Sequence, residues 1–189
     1  MAIIEPSELI NGVVVVTPAV HGDERGVFVE TYRRSWVPGG REMIQANRAD
    51  RTAGCIVGLH YHLHQADYWY VPFGRARVVL HDLRDGSPTD GVTQRLDLGA
   101  GRDGGAHDHR GVYIPPGVAH GFASLTDMTI TYLVDGYYNA ADELGVAWDD
   151  PAIAADWGLT EPVLSARDLA NPHRDDLPVA FRPHAALRT

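Results

Sequence analysis

The 189-residue chain contains no lysine, because all 16 of its basic residues are arginine. Mechanisms that need a lysine amine, as a base or as a Schiff base, are therefore excluded. Arginine still provides the planar donors that match carboxylates and phosphates. Positive charge is scarce overall, since the net charge is −9. A general nucleic-acid binder needs a basic surface and is disfavoured, whereas an anionic small ligand needs only a few local arginines.

Cysteine and long apolar runs are also scarce. Cys55 is the only cysteine, which excludes a disulfide within the chain and is typical of a reducing compartment. No apolar run approaches the roughly 20 residues that span a bilayer. No basic segment followed by an apolar run comes after Met1, so no signal peptide is expected. We therefore expect a cytoplasmic protein.

Short β-branched and aromatic segments separated by turns dominate the sequence. The candidate strands are residues 12–19, 26–32, 43–49, 55–62, 67–74, 76–84, 93–100, 111–117, 120–126 and 128–138. Closely spaced short strands predict an all-β sandwich or barrel. Helical patterns are weak and are confined to residues 7–10, 150–158 and 166–170.

The length suits one domain. We expect a single domain over residues 1–189, with N-terminal strands in 1–50, a barrel in 51–140, and a C-terminal helical segment and tail in 141–189. The tail from Asn171 is rich in proline and arginine. It is expected to pack loosely or against a partner chain.

Three histidines alternate in the stretch GLHYHLHQADYWYVPFG, which runs from residue 58 to residue 74. His60, His62 and His64 would share one face of a regular strand, and Asp67 follows them. Neutral imidazole and carboxylate are ligands for Zn, Fe, Ni and Mn. A lone histidine on a strand is more often an ordinary hydrogen-bonded residue than a metal ligand. The spacing of the whole set is therefore needed to distinguish the two.

That spacing resembles the two-part metal signature of the cupins, which are small β-barrels. The first part is a glycine, five residues, HxH, three or four residues, Glu, six residues and Gly, and the second is PxGxxH. The chain reads His60-Tyr61-His62, four residues, Asp67, six residues and Gly74, and later PPGVAH ending at His120. The resemblance implies a metal held by His60, His62, Asp67 and His120. His64 is expected at the rim of the site, and His107 and His109 in a solvated loop.

A longer resemblance covers residues 20 to 170. The segments HGDERGVFVETY, IQANRADRTAGCIVGLHYH, HDLRDGSPTDG, IPPGVAHGFASL, ADELGVAWDDP and VLSARDLANP resemble, in the same order, motifs of the dTDP-4-keto-6-deoxyglucose (dTDP-4-dehydrorhamnose) 3,5-epimerases, a branch of the cupins. The resemblance implies a jelly-roll barrel, also called a double-stranded β-helix, with a few short helices near its C-terminus. It also implies a homodimer and an isomerase that acts at C3, C5 or both of a dTDP-4-keto-6-deoxyhexose.

Carried over position by position, the resemblance also implies roles for single residues. His60 matches the general base, Asp168 the carboxylate that orients it, and Tyr132 the general acid, with Tyr138 nearby. His120 lines the sugar site. The residues expected to contact the nucleotide or diphosphate are Arg25, Phe28, Glu30, Gln45 and Asn47, the last two often from the neighbouring subunit. An imidazole and a phenol suit the reaction, because one removes a proton beside a ketone and the other returns a proton to the opposite face.

Three positions depart from the family, and they bear on the metal. Val57 stands where the family has an arginine that contacts diphosphate, Asp67 where it has the lysine that stabilises the enolate, and His62 where it has glutamine. A divalent metal in place of the lysine would explain the last two changes. A ligated His60, however, cannot also be a free base. Either His60 binds the metal and another group abstracts the proton, or the metal binds without His60.

Two other functions stay open from the sequence. A metal-dependent cupin could keep the sugar-nucleotide site and perform isomerisation, dehydration or an oxygenase reaction. A non-catalytic sugar-nucleotide-binding or assembly protein would show neither turnover nor metal.

Overall fold

The computed structural model describes residues 1–101 and 106–185, and β-strands form most of its regular structure. The strands are β1 (Ile3–Pro6), β2 (Val14–Thr17), β3 (Val20–Asp23), β4 (Gly26–Val29), β5 (Gln45–Arg51), β6 (Ile56–Tyr61), β7 (Asp67–Phe73), β8 (Arg75–Asp82), β9 (Thr93–Gly99), β10 (Gly111–Ile114), β11 (Val118–Ser124), β12 (Met128–Val134) and β13 (Leu144–Gly145). Short 3-10 turns lie at Arg34–Trp36, Pro38–Gly40, Arg174–Asp176 and Val179–Phe181, and the helix α1 spans Ala166–Leu169. The all-β prediction is confirmed.

Two sheets face each other around the main core. One has the strand order β1-β2-β10-β7-β12-β5 and the other β13-β6-β11-β8-β9, while β3 and β4 form a separate hairpin. Side chains from both sheets, such as Trp69 and Ile130 from the first and Leu80 and Phe122 from the second, pack into one apolar cluster. Burying these side chains between two sheets removes apolar surface from water and holds the sheets together.

The predicted strands match β2 and β4 to β12, whereas β1, β3 and β13 were missed. The helical prediction for residues 150–158 is wrong. Asp150 and the residues after it form a single turn, in which the carbonyl of Asp150 accepts from the N–H groups of Ile153 and Ala154. Ala154 has a φ of 51°, and Gly158 has a φ of 70°. These left-handed residues stop a helix from propagating. Residues 7–10 likewise contain no helix, and the chain bends at residues 8–10.

The prediction for residues 166–170 is confirmed by α1. The hydroxyl of Ser165 caps this helix by accepting a hydrogen bond from the N–H of Asp168, as expected for a serine at this position. In the described ranges, no helix is both long enough and apolar enough to cross a membrane.

The tail packs on the barrel of its own chain, at least as far as residue 185. Leu177 is buried in the second apolar cluster. The hydroxyl of Tyr61 donates to the carbonyl of Phe181 at 2.9 Å, and Arg174 pairs with Asp90 at 2.5 Å. The expectation of a loosely packed tail is therefore wrong for residues 171–185, and residues 186–189 lie outside the described part of the chain.

Candidate active site

A cavity of about 110 Å³ opens between the two sheets. Strands β5, β7 and β12 of one sheet and β6 and β11 of the other supply most of its wall. The lining residues are Ala49, Arg51, Val57, His60, His62, Gln65, Asp67, Trp69, His120, Phe122, Ile130, Tyr132 and Glu143. A concave site with a few convergent polar groups on an apolar wall is typical of a small-molecule site.

Two glycines bring the histidines of β6 and β11 close together. His60 lies opposite His120 in the strand pairing, and the register shifts just beyond this pair. A side chain at Gly58, which has a φ of 114°, would place its Cβ 2.7 Å from the Cα of Gly121. Only glycine tolerates this approach and this backbone conformation. The local sequence thus fixes where His60 and His120 enter the cavity.

His60 and Asp168 form a short hydrogen-bonded pair. The Nε2 of His60 lies 2.6 Å from Oδ1 of Asp168, a carboxylate on α1 that is 3% exposed. Burial alone would raise the pKa of Asp168, but hydrogen bonding and charge from His60, with further hydrogen bonds from Ser165 and Gly58, lower it overall. An ionised carboxylate only accepts, so Nε2 carries the proton and Nδ1 keeps a basic lone pair.

Tyr132 faces these residues from the other sheet. It lies on β12, opposite Asn47 on one side and Trp69 on the other. Burial, with the negative charges of Asp67 and Glu143, raises the pKa of the Tyr132 phenol. The phenol therefore stays protonated at neutral pH and can donate a proton or a hydrogen bond.

His62, Asp67 and His120 form a second group in the same cavity. All three are buried, and one ligand atom from each lies within 4.8 Å of the others. The Nε2 atoms of His62 and His120 are each 3.9 Å from a carboxylate oxygen of Asp67. The fourth predicted ligand, His60, is not in this group, and its Nε2 lies against Asp168.

Each histidine of this group is oriented by a backbone carbonyl. The Nδ1 of His62 donates to the carbonyl of Asp142 at 2.7 Å, and the Nδ1 of His120 donates to the carbonyl of Val118 at 2.9 Å. The two Nε2 atoms are therefore unprotonated in the neutral rings. Burial lowers the pKa of His120 to about 4, against the opposing effect of Asp67.

Gln45 and Asn47 lie on the strand that also supplies Ala49 and Arg51 to the cavity. Burial alternates along β5, so these residues share its inner face. The amide of Gln45 donates to Asn47 at 3.0 Å. Neither residue lines the cavity itself. In the register of the sheet, Asn47 lies opposite Tyr132 and Gln45 lies opposite Val134.

The other predicted contact residues lie outside the cavity of this chain. Phe28, on the β3–β4 hairpin, is 71% exposed, and so is Tyr138. Arg25, between these strands, pairs with Asp23, and Glu30, just after β4, pairs with Arg33. The nucleotide contacts expected of these residues therefore remain predictions.

The three other histidines singled out in the sequence differ in their surroundings. His64 is exposed, as expected of a rim residue. His107 and His109 are not simply solvated, because the ring of His107 is hydrogen-bonded to the carbonyl of Val71 and that of His109 to the hydroxyl of Tyr70.

Four lining residues with hydrogen-bonding side chains were missed in the sequence: Arg51, Gln65, Trp69 and Glu143. Strand alternation could have found Arg51, which lies four residues after Asn47, and Trp69, which lies two after Asp67. Gln65 and Glu143 lie in loops, where no periodicity indicates direction.

Known proteins resemble this chain over most of its length. Over residues 7–176 the chain matches the family described as dTDP-4-dehydrorhamnose 3,5-epimerase. A relative of that name from Neisseria gonorrhoeae is 37% identical over 163 residues, 82% of this chain and 48% of the relative. Another, from Shigella flexneri, is 33% identical over 168 residues, 85% of this chain and 90% of the relative. The chain thus spans about half the length of the first relative and nine-tenths of the second.

Among solved structures, the fold is similar to that of a 4-keto-6-deoxy sugar epimerase from the novobiocin biosynthetic gene cluster of Streptomyces spheroides. The TM-score is 0.89 at 32% identity, and the match covers 98% of this chain and 94% of the other. The jelly-roll prediction is confirmed by this likeness.

Proposed function

The chain belongs to the dTDP-4-dehydrorhamnose 3,5-epimerase family and is a sugar-nucleotide epimerase, and we propose that it inverts C3, C5 or both of a dTDP-4-keto-6-deoxyhexose with His60 as base and Tyr132 as acid. One observation carries this assignment of roles. A carboxylate-bound imidazole and a protonated phenol enter the same cavity from opposite sheets. Inversion needs this arrangement, because the proton must leave one face of the carbon and return to the other.

The reaction follows from the two groups. Nδ1 of His60 takes the proton from the carbon beside the ketone, and the electron pair moves onto the ketone oxygen as an enolate. Asp168 stabilises the imidazolium that forms and keeps its ring oriented. Tyr132 then donates its proton to the opposite face of the carbon, the enolate returns to the ketone, and solvent resets both side chains.

Arg51 is the residue that we assign to the diphosphate. Val57 occupies the position before the GLH motif where the family has an arginine. Arg51 lines the same cavity as Val57. Among the described residues Arg51 forms no ion pair, and its only hydrogen bond is to the carbonyl of Asp50 at 2.8 Å. An unpaired guanidinium matches the geometry of a phosphate oxygen pair.

The test is solvent exchange at carbon. The protein is incubated in D₂O with a dTDP-4-keto-6-deoxyglucose, and the position of the label is read by NMR and mass spectrometry. Deuterium at C3, C5 or both, with inversion at the labelled carbon, is expected. Binding without any label would contradict the proposal and favour a sugar-nucleotide-binding protein, whose only response is thermal stabilisation by the nucleotide.

The group of His62, Asp67 and His120 supports a second candidate, a metal-dependent reaction of another kind. Two histidines and a carboxylate occur at the iron of many oxygenases. That candidate leaves the His60–Asp168 pair and Tyr132 without a role, so we rank it second. Oxygen consumption coupled to loss of the sugar nucleotide would favour it.

The proposal includes a homodimer in the cytoplasm. The β3–β4 hairpin stands apart from both sheets and exposes Val20, Val27 and Phe28, an apolar surface that a second copy could cover. Arg25, predicted to face the nucleotide, belongs to this hairpin and lies outside the cavity of its own chain. In a dimer, Arg25 would contact the nucleotide in the cavity of the other copy.

Mixing two defective variants tests the dimer. His60→Asn removes the base, and Arg25→Ala alters the hairpin of the other copy. Heterodimers would contain one cavity with both native residues, so mixing should restore part of the activity. A monomer in light scattering, with no restoration on mixing, would contradict the dimer and leave the epimerase assignment to the exchange experiment.

A further inference from the structure

We propose that His62, Asp67 and His120 bind one divalent first-row metal ion, such as Zn, Fe, Ni or Mn, and that this ion takes the place of the family's lysine in holding the enolate. The binding half of this proposal stands on geometry. The enolate half rests on the proposed epimerase function. Both parts explain why His62 and Asp67 differ from the family's glutamine and lysine: a metal ion would replace the lysine.

The distances suit a shared ion better than direct contact. Hydrogen bonds between nitrogen and oxygen fall at about 2.7–3.2 Å, so the two 3.9 Å separations to Asp67 are too long for hydrogen bonds. Ligand atoms about 2.0–2.2 Å from one ion can lie no more than about 4.4 Å apart. The separations of 3.9 Å fall inside this limit.

The surrounding groups hold each ligand in a binding orientation. The carbonyls of Asp142 and Val118 take the Nδ1 protons, so that both Nε2 lone pairs are available. Metal-binding histidines are commonly held in this way by a carbonyl or carboxylate. Among the described residues, neither Nε2 atom has a hydrogen-bond partner. Trp69 packs edge-on against the His120 ring at 5.1 Å between centroids, which restricts its rotation.

Asp67 is also held from outside the group. The amide of Gln65 donates to Oδ1 at 3.1 Å, and the indole N–H of Trp69 donates to Oδ2 at 3.0 Å. Asp67 is 3% exposed, and no arginine in the described part of the chain pairs with it. Since buried charges in proteins are paired or coordinate metals, a cation between Asp67 and the two neutral imidazoles would complete this site.

The three-residue set removes the conflict over His60. A fourth ligand at His60 would take away the base. Instead, His60 points its Nε2 at Asp168, and the three other residues leave positions on the ion open for an oxygen of the substrate. A metal with open positions can polarise a carbonyl as a Lewis acid. The ketone oxygen would bind there while His60 removes the proton from the neighbouring carbon.

Elemental analysis of protein purified without a metal-affinity column is the first test. We expect about one ion per chain in the native protein and a loss of most of it in His62→Ala and in Asp67→Asn. His64→Ala is the matched control, because this exposed histidine lies two residues from His62 and outside the group. His60→Asn should also keep its metal. Loss of metal in His60→Asn would overturn the three-residue set.

A folding defect can be separated from a binding defect. Each variant is melted with and without added Zn²⁺, Mn²⁺, Fe²⁺ or Ni²⁺ after chelation, since an ion that binds only the folded protein raises its melting temperature. A raised melting temperature in the native protein and in His64→Ala, with no shift in Asp67→Asn, is the expected result. No ion in the native protein and no shift with any of the four metals would overturn the proposal.

Exchange in D₂O separates this proposal from the epimerase function. Metal-free native protein should exchange the substrate carbon proton at least 100-fold more slowly than the metal-loaded protein, if metal stabilisation of the enolate is worth about what one such donor provides elsewhere. The double variant His62→Gln, Asp67→Lys should bind no metal and should exchange without it. Equal exchange with and without metal would overturn the enolate role alone, whereas no exchange in either state would overturn the epimerase function and leave the metal site standing.

Discussion

Two histidine–carboxylate sets share one cavity, and they differ by little more than an ångström in spacing. The pair of His60 and Asp168 is in contact at 2.6 Å. In the group around Asp67, the nearest imidazole nitrogens lie 3.9 Å away. The same two residue types thus make a hydrogen-bonded pair in one place and an open cluster in the other.

The difference lies in which ring nitrogen faces the carboxylate and what the other nitrogen does. Nε2 of His60 carries a proton toward Asp168, which suits the pair to the proton transfer proposed for it. In His62 and His120 the proton is on Nδ1 and points to a backbone carbonyl. Two lone pairs then face Asp67, and this suits a cation better than a proton. Spacing along the sequence cannot distinguish these cases, because His60 and His62 are two residues apart and line the same cavity.

The largest effect is expected from His60→Asn, which breaks the first set and leaves the second intact. Loss of a general base typically costs about 10²- to 10⁴-fold in rate, so kcat for inversion should fall by that range. Deuterium exchange at the substrate carbon should fall in parallel. An exchange rate within a few-fold of the native rate would show that another group abstracts the proton. His64→Asn is the matched control and should retain native exchange.

A different kind of loss is expected from Tyr132→Phe, because the base and the proposed metal site remain. The proton can leave through His60 and return by the same route, on the same face. Exchange should therefore survive while inversion falls by roughly 10²-fold. The two rates are measured on one sample by following deuterium content and stereochemistry together. Parallel loss of exchange and inversion would assign Tyr132 to the first proton transfer instead.

Much of the site was predictable from the sequence. The separation of its residues into a histidine–carboxylate pair and a three-residue group was not. Alternation placed His60 and His62 on one face, and both do line the cavity. The family resemblance paired His60 with Asp168. The orientation of His60 depends on α1, whose capped turn presents Asp168, and that of His62 depends on the loop carbonyl of Asp142. A contact between residues 108 positions apart has no local signal in one sequence.

The fold shows the same limit. Strong β-branched runs predicted β7, β8, β11 and β12 to within a few residues. The helix predicted over residues 150–158 failed because its apolar spacing reflects burial of Ile153 and Trp157 in the second core cluster, and not a helical backbone. Tertiary packing decides such short segments, and the left-handed φ at Ala154 is incompatible with a continuous helix.

Arg51→Gln should change substrate affinity and leave both histidine sets unaltered. Hydrogen bonds to a charged group contribute about 1.5–3 kcal/mol, so KM for the sugar nucleotide should rise about 10- to 100-fold. Metal content and the exchange rate at saturation should stay near the native values. A fall in kcat with unchanged KM would place Arg51 at the reacting carbon and not at the diphosphate. Arg48→Gln, on the exposed face of β5, is the control.

The smallest effect on activity is expected at His81, a buried histidine that belongs to neither set and acts on stability instead. Its ring is fully buried on β8 and donates through Nδ1 to the hydroxyl of Thr93 at 2.8 Å. Burial lowers the pKa of His81 from 6.5 to about 4, with Arg174 acting in the same direction and Asp82 and Asp150 opposing it. Between pH 6.5 and 4, His81 therefore binds a proton in the unfolded chain but stays neutral in the folded chain.

Stability supplied by neutral His81 is complete above pH 6.5 and is lost as the pH falls toward 4. The whole loss is roughly 3 kcal/mol from this side chain. Urea unfolding of the native protein and of His81→Gln, measured at several pH values between 7 and 4.5, should show a shallower decline in the variant. The quantity to compare is the slope of the unfolding free energy against pH, because the substitution also changes stability at pH 7. Equal slopes would mean that folding does not change the pKa of His81, and that Asp82 and Asp150 offset the effect of burial.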